Sequence, residues 1–310
     1  MLTRSTVILA KVETTYGTDA VPTAAANALL VKDVNLKVNG ETIKRDFVRS
    51  SFSPLQFVRG MKDAEVSFKT ELKGTGTRGV KPAYGWEGDL LQGCGMGETV
   101  VASTSITYAP ISTGFKSVTL YVYKDGIFHK ITGARGSFKL NLEAGKYGVV
   151  EWNFKGLYNT PVDATPTAQT FSGVVPPSFL SAAATVGGYS PIFEKIDIDM
   201  ANSFSTRKNA NSASGITEQV ITGREPKGSF DPMTVTEATH AFWGNWSSGA
   251  AIALNVGPLG GTSGNTIQIT APKMQYQDIT YGDKSGDLSY NIPFALNMNT
   301  GDDELSIVFT

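Results

Sequence analysis

The chain has 310 residues, which suits about two domains of roughly 150 residues each. With 18% charged and 41% hydrophobic residues it has a globular composition, which excludes a disordered chain. The single cysteine, Cys94, excludes an internal disulfide and a Cys-rich zinc site, and no apolar run approaches the ~20 residues that cross a bilayer.

The net charge of −1 conceals an asymmetry. Residues 1–160 hold 20 Lys/Arg and 14 Asp/Glu, a net of +6, whereas residues 161–310 hold 7 and 14, a net of −7. Either two domains have drifted apart, or one half is shaped to meet the other half of a neighbouring copy. The 33 glycines and many Thr and Ser favour strands and turns over helices.

In chain order, residues 1–31 read as an N-terminal arm. They do not form a signal peptide, because the apolar stretch Val7-Ile8-Leu9-Ala10 stops at Lys11. Residues 32–160 read as a first β domain. KDVNLKVNG (32–40) alternates in strand fashion, with Val34, Leu36 and Val38 on one face. A long loop leads to a second strand around Ser67 and Phe68. A Gly-rich stretch (73–81) and a helix-like run (84–92) follow, the latter burying Trp86, Leu90 and Leu91. Strands are expected at 117–123, 127–132, 137–142 and 149–157, with Asp125-Gly126 as a hairpin turn.

Residues 161–191 have few charges and no clear periodicity and read as a linker that packs along a surface. Residues 192–310 read as a second β domain. EKIDIDMAN (194–202) repeats the first strand 162 positions on, with Ile196, Ile198 and Met200 in phase. At that offset Arg45 falls on Arg207, Ser50 on Ser212, Val58 on Val220, Ser67 on Ser229 and Phe68 on Phe230, without a gap. A helix-like run (235–246), capped by Thr234 or Thr236, would bury Phe242, Trp243 and Trp246. Strands are expected at 251–256, 266–269, 274–281, 288–297 and 305–309. Trp152 is matched with Tyr290, 138 positions apart, and poor phase near Leu140 and Asp278 suggests a bulge.

The opening Ala10-Lys11-Val12-Glu13-Thr14-Thr15-Tyr16-Gly17-Thr18, continued by Pro22-Thr23 and Val31-Lys32-Asp33-Val34, resembles the start of major tail tube proteins of long-tailed, siphophage-type bacteriophages. The order of elements in each half is similar too. The resemblance implies a mainly β fold: two tandem tail-tube-like β-sandwich or barrel domains, each with one short flanking helix. It implies a non-enzymatic virion protein, made in the host cytoplasm, whose rings stack into a hollow tube lined by adjoining sheets. DNA and the tape measure protein would pass through as transient contents. Tail terminator and baseplate proteins would be further partners, with no membrane and no cofactor. Family rings hold six domains, so a duplicated chain would form a trimer acting as a pseudo-hexamer, a departure from the commoner single-domain form.

The loop 39–61 carries Phe47, Phe52, Leu55 and Phe57 among Arg45, Arg49 and Arg59, too many aromatics for a merely solvated loop. It is expected to contact a neighbouring ring or subunit; the alternative is a hairpin folded over its own core. The matching loop 203–223 is more polar, and Arg207, Asn209, Asn211, Ser212, Ile216 and Glu218 are expected to make weaker hydrogen-bonded contacts. The lumen wall is expected to be neutral to acidic, since phosphate binding would hinder passage of DNA.

Chemistry has little to work with. His129 and His240 lack neighbouring ligands at metal-binding spacing, and Cys94 reads as a small buried residue. Gly74-Thr75-Gly76-Thr77-Arg78-Gly79 matches the dinucleotide-binding pattern in form only, because Lys81-Pro82 interrupts the required helix. Asp197 and Asp199 share a strand face, but Asn35 and Lys37 replace them in the first half. Asp302-Asp303-Glu304 reads as a turn rather than a cation site. The alternatives to a tail tube are a capsid-decoration or tail-fibre component, or a carbohydrate-binding module presenting Tyr84, Trp86, Trp243 and Trp246.

Overall fold

The computed structural model describes residues 5–310, and the chain is mainly β with short helices, in keeping with a β-sandwich. The first half contains β1 (Thr6–Val12), α1 (Ala24–Asn27), β2 (Ala28–Leu29), β3 (Lys32–Ile43), β4 (Val58–Glu71) and α2 (Glu87–Gly93). It continues with β5 (Met96–Val101), β6 (Ser105–Pro110), β7 (Val118–Lys124), β8 (Ile127–Glu143), β9 (Val149–Tyr158) and β10 (Val162–Asp163). The second half contains β11 (Thr185–Val186), β12 (Phe193–Asp199), β13 (Asn202–Lys208), β14 (Ile216–Arg224), β15 (Lys227–Pro232) and α3 (Phe242–Ser248). It ends with β16 (Ile252–Leu259), β17 (Ile267–Tyr276), β18 (Thr280–Lys284), β19 (Asp287–Asn297) and β20 (Ser306–Phe309).

Alternating strands bury one face, so their pairing follows their apolar phase. The first half runs β2-β1-β7-β8-β9-β4-β3, all antiparallel. The second half runs β11-β16-β17-β19-β15-β12 in the same sense. Two joints connect them: β12 pairs with the far part of β8, and β20 pairs with both β17 and β6. A single apolar core therefore runs through both halves, with Phe68, Phe138, Trp152 and Phe154 on one side and Phe230, Phe242, Ile292 and Phe294 on the other.

The 162-residue spacing reappears as pairing register. Asn35 faces Ser67 and Asp197 faces Ser229. The next strand follows suit, but at a different spacing. Phe68 faces Trp152 and Phe230 faces Ile292, so Trp152 matches Ile292 at 140 positions, not Tyr290. An error of two leaves every side chain on its correct face, which is why alternation alone cannot expose it. The bulge expected near Asp278 is present. Tyr276 faces Phe294 while Thr280 faces Asn291, so four steps on one strand oppose three on the other. β17 and β18 together thus occupy the place that unbroken β8 fills in the first half.

Several sequence expectations change. The supposed arm contributes β1, which pairs with β7 from Thr6 to Val12 and buries Ile8, Leu9 and Ala10; its first residues, 1–4, lie outside the described region. The apolar stretch Val7–Ala10 belongs to a strand whose consecutive residues Ile8, Leu9 and Ala10 are buried on both faces. The first helix spans Glu87–Gly93, with Trp86 at its N-cap, and buries Leu90 and Leu91 as expected. The second is confined to Phe242–Ser248. Residues 236–240 form a turn, and the Glu237 carboxylate accepts the backbone N–H groups of Trp243 and Gly244 at 3.1 Å each, where a threonine cap was expected. Of its aromatics Phe242 is buried, while Trp246 is 40% exposed. The Asp125-Gly126 turn forms with φ of +44° and +100°, as a tight hairpin requires. The linker does pack: Phe179 is buried and donates its N–H to the Lys146 carbonyl at 2.7 Å.

Candidate assembly surfaces

The two long hairpins lie at matching positions of the 162-residue offset but are placed differently. β3 and β4 run on as one antiparallel ribbon, with a register slip between Gly40 and Thr42, and the connection 44–57 at its end is exposed. Phe47, Phe52 and Phe57 all face solvent, Phe52 at 109% exposure, and only Leu55 is half-buried. Arg59 stacks 4.6 Å from the Phe57 ring centre and donates to Thr42 Oγ1 at 2.9 Å. Arg45 and Arg49 have no ion-pair partner among the described residues. Three exposed phenylalanines on one tip, of which only Phe57 is partly covered by Arg59, leave apolar surface in solvent.

The second hairpin, β13–β14, breaks away from β12 at Ala201, whose φ is +47°, and folds back onto the first half. Buried Arg135 on β8 donates to Glu218 and to the Gln219 carbonyl, both at 2.8 Å, and Arg207 reaches the other Glu218 oxygen at 2.6 Å. At the tip the Lys62 N–H donates to the Ser214 carbonyl at 3.2 Å, and Ile216 is buried. Ser212 Oγ donates to the Ile216 carbonyl at 2.8 Å, and the Asn209 side chain accepts the Asn211 N–H at 2.9 Å. Glu218 and Ile216 are taken up in this docking within the chain, while the side chains of Arg207 and Asn211 still face solvent.

The opening motif explains part of this docking. Glu13, buried, accepts four hydrogen bonds, from the N–H groups of Gly17 and Gly133 and the hydroxyls of Ser117 and Thr119, at 2.6–2.8 Å. That holds Tyr16 in place. Its hydroxyl accepts the Gln219 N–H at 2.7 Å, and its ring lies 4.8 Å from the Arg135 guanidinium. Burial pushes the Tyr16 phenol up to about 12. Gly133 is required here: φ is +59°, and a Cβ would stand 2.7 Å from the Tyr16 ring.

Two of the unpaired sheet edges belong to β3 and β18. Among the described residues β3 pairs only with β4, and β18 only with β19. Tyr281 on β18 is 62% exposed, and Leu288 beside it on β19 is also exposed.

A model of the phage tail tube protein family matches residues 3–296. The chain belongs to the phage tail tube protein family. It is a structural component of a phage tail, and no curated protein matches it.

The other sites weighed from the sequence have structural roles in this tail tube protein. Cys94 is buried at the end of α2, and burial pushes its thiol up. His129 faces Val122 within the β7–β8 pair, and His240 stacks on Tyr189 at 4.6 Å; burial lowers the pKa of both. The Gly-rich loop packs backbone to backbone on the second half: the Gly76 N–H donates to the Gly264 carbonyl at 2.9 Å, and a Cβ on Gly74 would meet that carbonyl at 2.3 Å. Asp197 pairs with Lys139 while Asp199 accepts the Ala201 N–H, so they form no carboxylate pair. Asp302 and Glu304 both bind Arg224, and Asp303 accepts N–H groups of the turn 299–301. Trp86 is buried and donates to Tyr108 Oη at 2.9 Å, so it cannot serve as a carbohydrate platform. Among the described residues no helix is long and apolar enough to cross a membrane.

Proposed function

We propose that the chain is two tandem copies of one tail-tube domain, residues 32–160 and 192–310, and that it self-assembles into rings that stack as a phage tail tube. Three copies would supply six domains and form a pseudo-hexameric ring. The lumen would carry DNA and the tape measure protein during ejection, with tail terminator and baseplate proteins meeting the ends. Family membership, the matched pairing registers and the open sheet edges support this reading.

The observation that carries it is the projecting β3–β4 ribbon, with Phe47, Phe52 and Phe57 in solvent. A contact between rings would bury these residues, and each fully buried phenylalanine is worth about 1.5–3 kcal/mol. Since the second hairpin is docked within the chain, each copy offers one such ribbon, not two. Replacing Phe52 and Phe57 with Ser should leave a soluble, folded protein that no longer forms long tubes in negative-stain images. Normal tubes from F52S/F57S would overturn the inter-ring role.

A further inference from the structure

Inside the chain the two halves are joined as one sheet. β12 lies antiparallel to β8, with Lys195 opposite Glu143, Ile198 opposite Leu140 and Asp199 opposite Lys139. Lys139 Nζ also reaches Asp197 at 3.0 Å across the joint. Both strands have counterparts elsewhere in the molecule.

β3 matches β12 at 162 positions, down to a one-residue slip at its start: between Lys32 and Asn35 in one, between Phe193 and Ile196 in the other. β18 matches the far part of β8. Leu140 faces Val150 on β9, and Tyr281 faces Tyr290 on β19, Val150 and Tyr290 being 140 apart like the other β9–β19 matches. Yet β3 is open on the edge where β12 meets β8, and β18 is open on the edge where β8 meets β12. Exposure reflects the missing neighbour. Ile198 and Leu140, which meet, are 0% and 1% exposed, whereas Leu36 is half-buried and Tyr281 is 62% exposed.

We propose that β18 of one copy pairs antiparallel with β3 of the next, in the register of the internal joint. Thr280 then lies opposite Lys37 of the next copy, Tyr281 opposite its Leu36, Gly282 opposite its Asn35, and Lys284 opposite its Asp33. This rests on the self-assembly reading above and names the edges and register it uses.

Charge supports that pairing over its alternative. In the internal joint the basic Lys195 is on β12 and the acidic Glu143 on β8; in the proposed joint the acidic Asp33 is on β3 and the basic Lys284 on β18. If β3 of a neighbour displaced β12, it would set Asp33 against Glu143 and Lys37 against Lys139. If β12 were placed on β18, it would set Lys195 against Lys284. Like charges directly opposite are destabilising in a sheet, so the two joints reject each other's strands.

The test is disulfide trapping in the full chain, where Cys94 is buried and does not compete. Lys37 and Thr280 are both exposed, so K37C/T280C should fold and form tubes when reduced. Residues directly opposite in an antiparallel pair have Cα atoms about 4.5–5.5 Å apart, within disulfide reach. On oxidation most of the monomer band should be lost to closed covalent multimers on a non-reducing gel. Mixed K37C and T280C single variants should give a dimer and nothing larger, and either alone should give no product. The register control K37C/G282C, displaced by two residues, should remain largely monomeric. Tubes that show no K37C/T280C linkage, equal linkage of K37C/G282C, or K37C linked to itself would overturn this joint while leaving the tail-tube function intact. A chain that stays monomeric at every concentration would overturn both.

Discussion

Glu87 shows how a single buried group can set the pH response of this protein. It lies in the first turn of α2, is buried, and its Oε2 has no hydrogen-bond partner. Burial pushes its carboxyl up to about 7, against the opposing pull of nearby Lys73. An unfolded glutamate titrates near 4.3, so between these values the folded state holds the proton more tightly. Its contribution to stability is complete below about pH 4.3 and is lost as pH rises through about 7. Glu87→Gln, which cannot ionise, should melt like the parent near pH 4. At pH 8 it should be more stable by on the order of 1–3 kcal/mol. A melting difference that stays constant from pH 4 to pH 8 would count against burial as the cause. Glu13, also buried, differs in that four donors surround its carboxylate.

Among the elements, the docked hairpin β13–β14 depends on Arg135. This side chain is buried and bonds both Glu218 and the Gln219 carbonyl. Breaking such a pair by removing one partner typically costs about 3–5 kcal/mol. Arg135→Ala should therefore release the hairpin and make the 209–215 turn a site of rapid proteolysis in an otherwise folded chain; unchanged digestion would mean that Tyr16 and Ile216 suffice. Which elements could be read from sequence follows from the same physics. Strand phase, the Asp125-Gly126 turn, the bulge near Asp278 and the shared 162-residue offset are local signals, and all were legible. The fate of the two hairpins was not, because it depends on Ala201 turning the chain and on Arg135 meeting Glu218 across 83 positions. The 138-residue match failed for a related reason: a two-residue slip changes the strand partner but not the face. β1 escaped notice because a strand buried on both faces does not alternate. The motif Glu13–Tyr16 was visible as a family resemblance, but its use as a clamp for the second hairpin appears only in three dimensions.

At the scale of the whole molecule, the pairing of β12 with β8 makes within one chain, under the tandem-domain proposal, a joint that single-domain copies would have to make between chains. Held on one chain, the two surfaces meet at an effective concentration set by their folded connection and not by the concentration of free copies. One open edge of each kind remains, on β3 and on β18. Under the proposed joint, such a unit has a valence of two: it can lengthen a row or close it, but it cannot branch. A subunit disabled on one side only is then more harmful than a missing one, because it still enters the row and blocks closure. Asp283→Pro removes an outward-facing backbone donor from β18 and leaves β3 intact. Co-expressed as a minority with the parent chain, it should act as a dominant poison and reduce tube yield by more than its share of the pool. A decline only in proportion to that share would mean that closure does not run through β18.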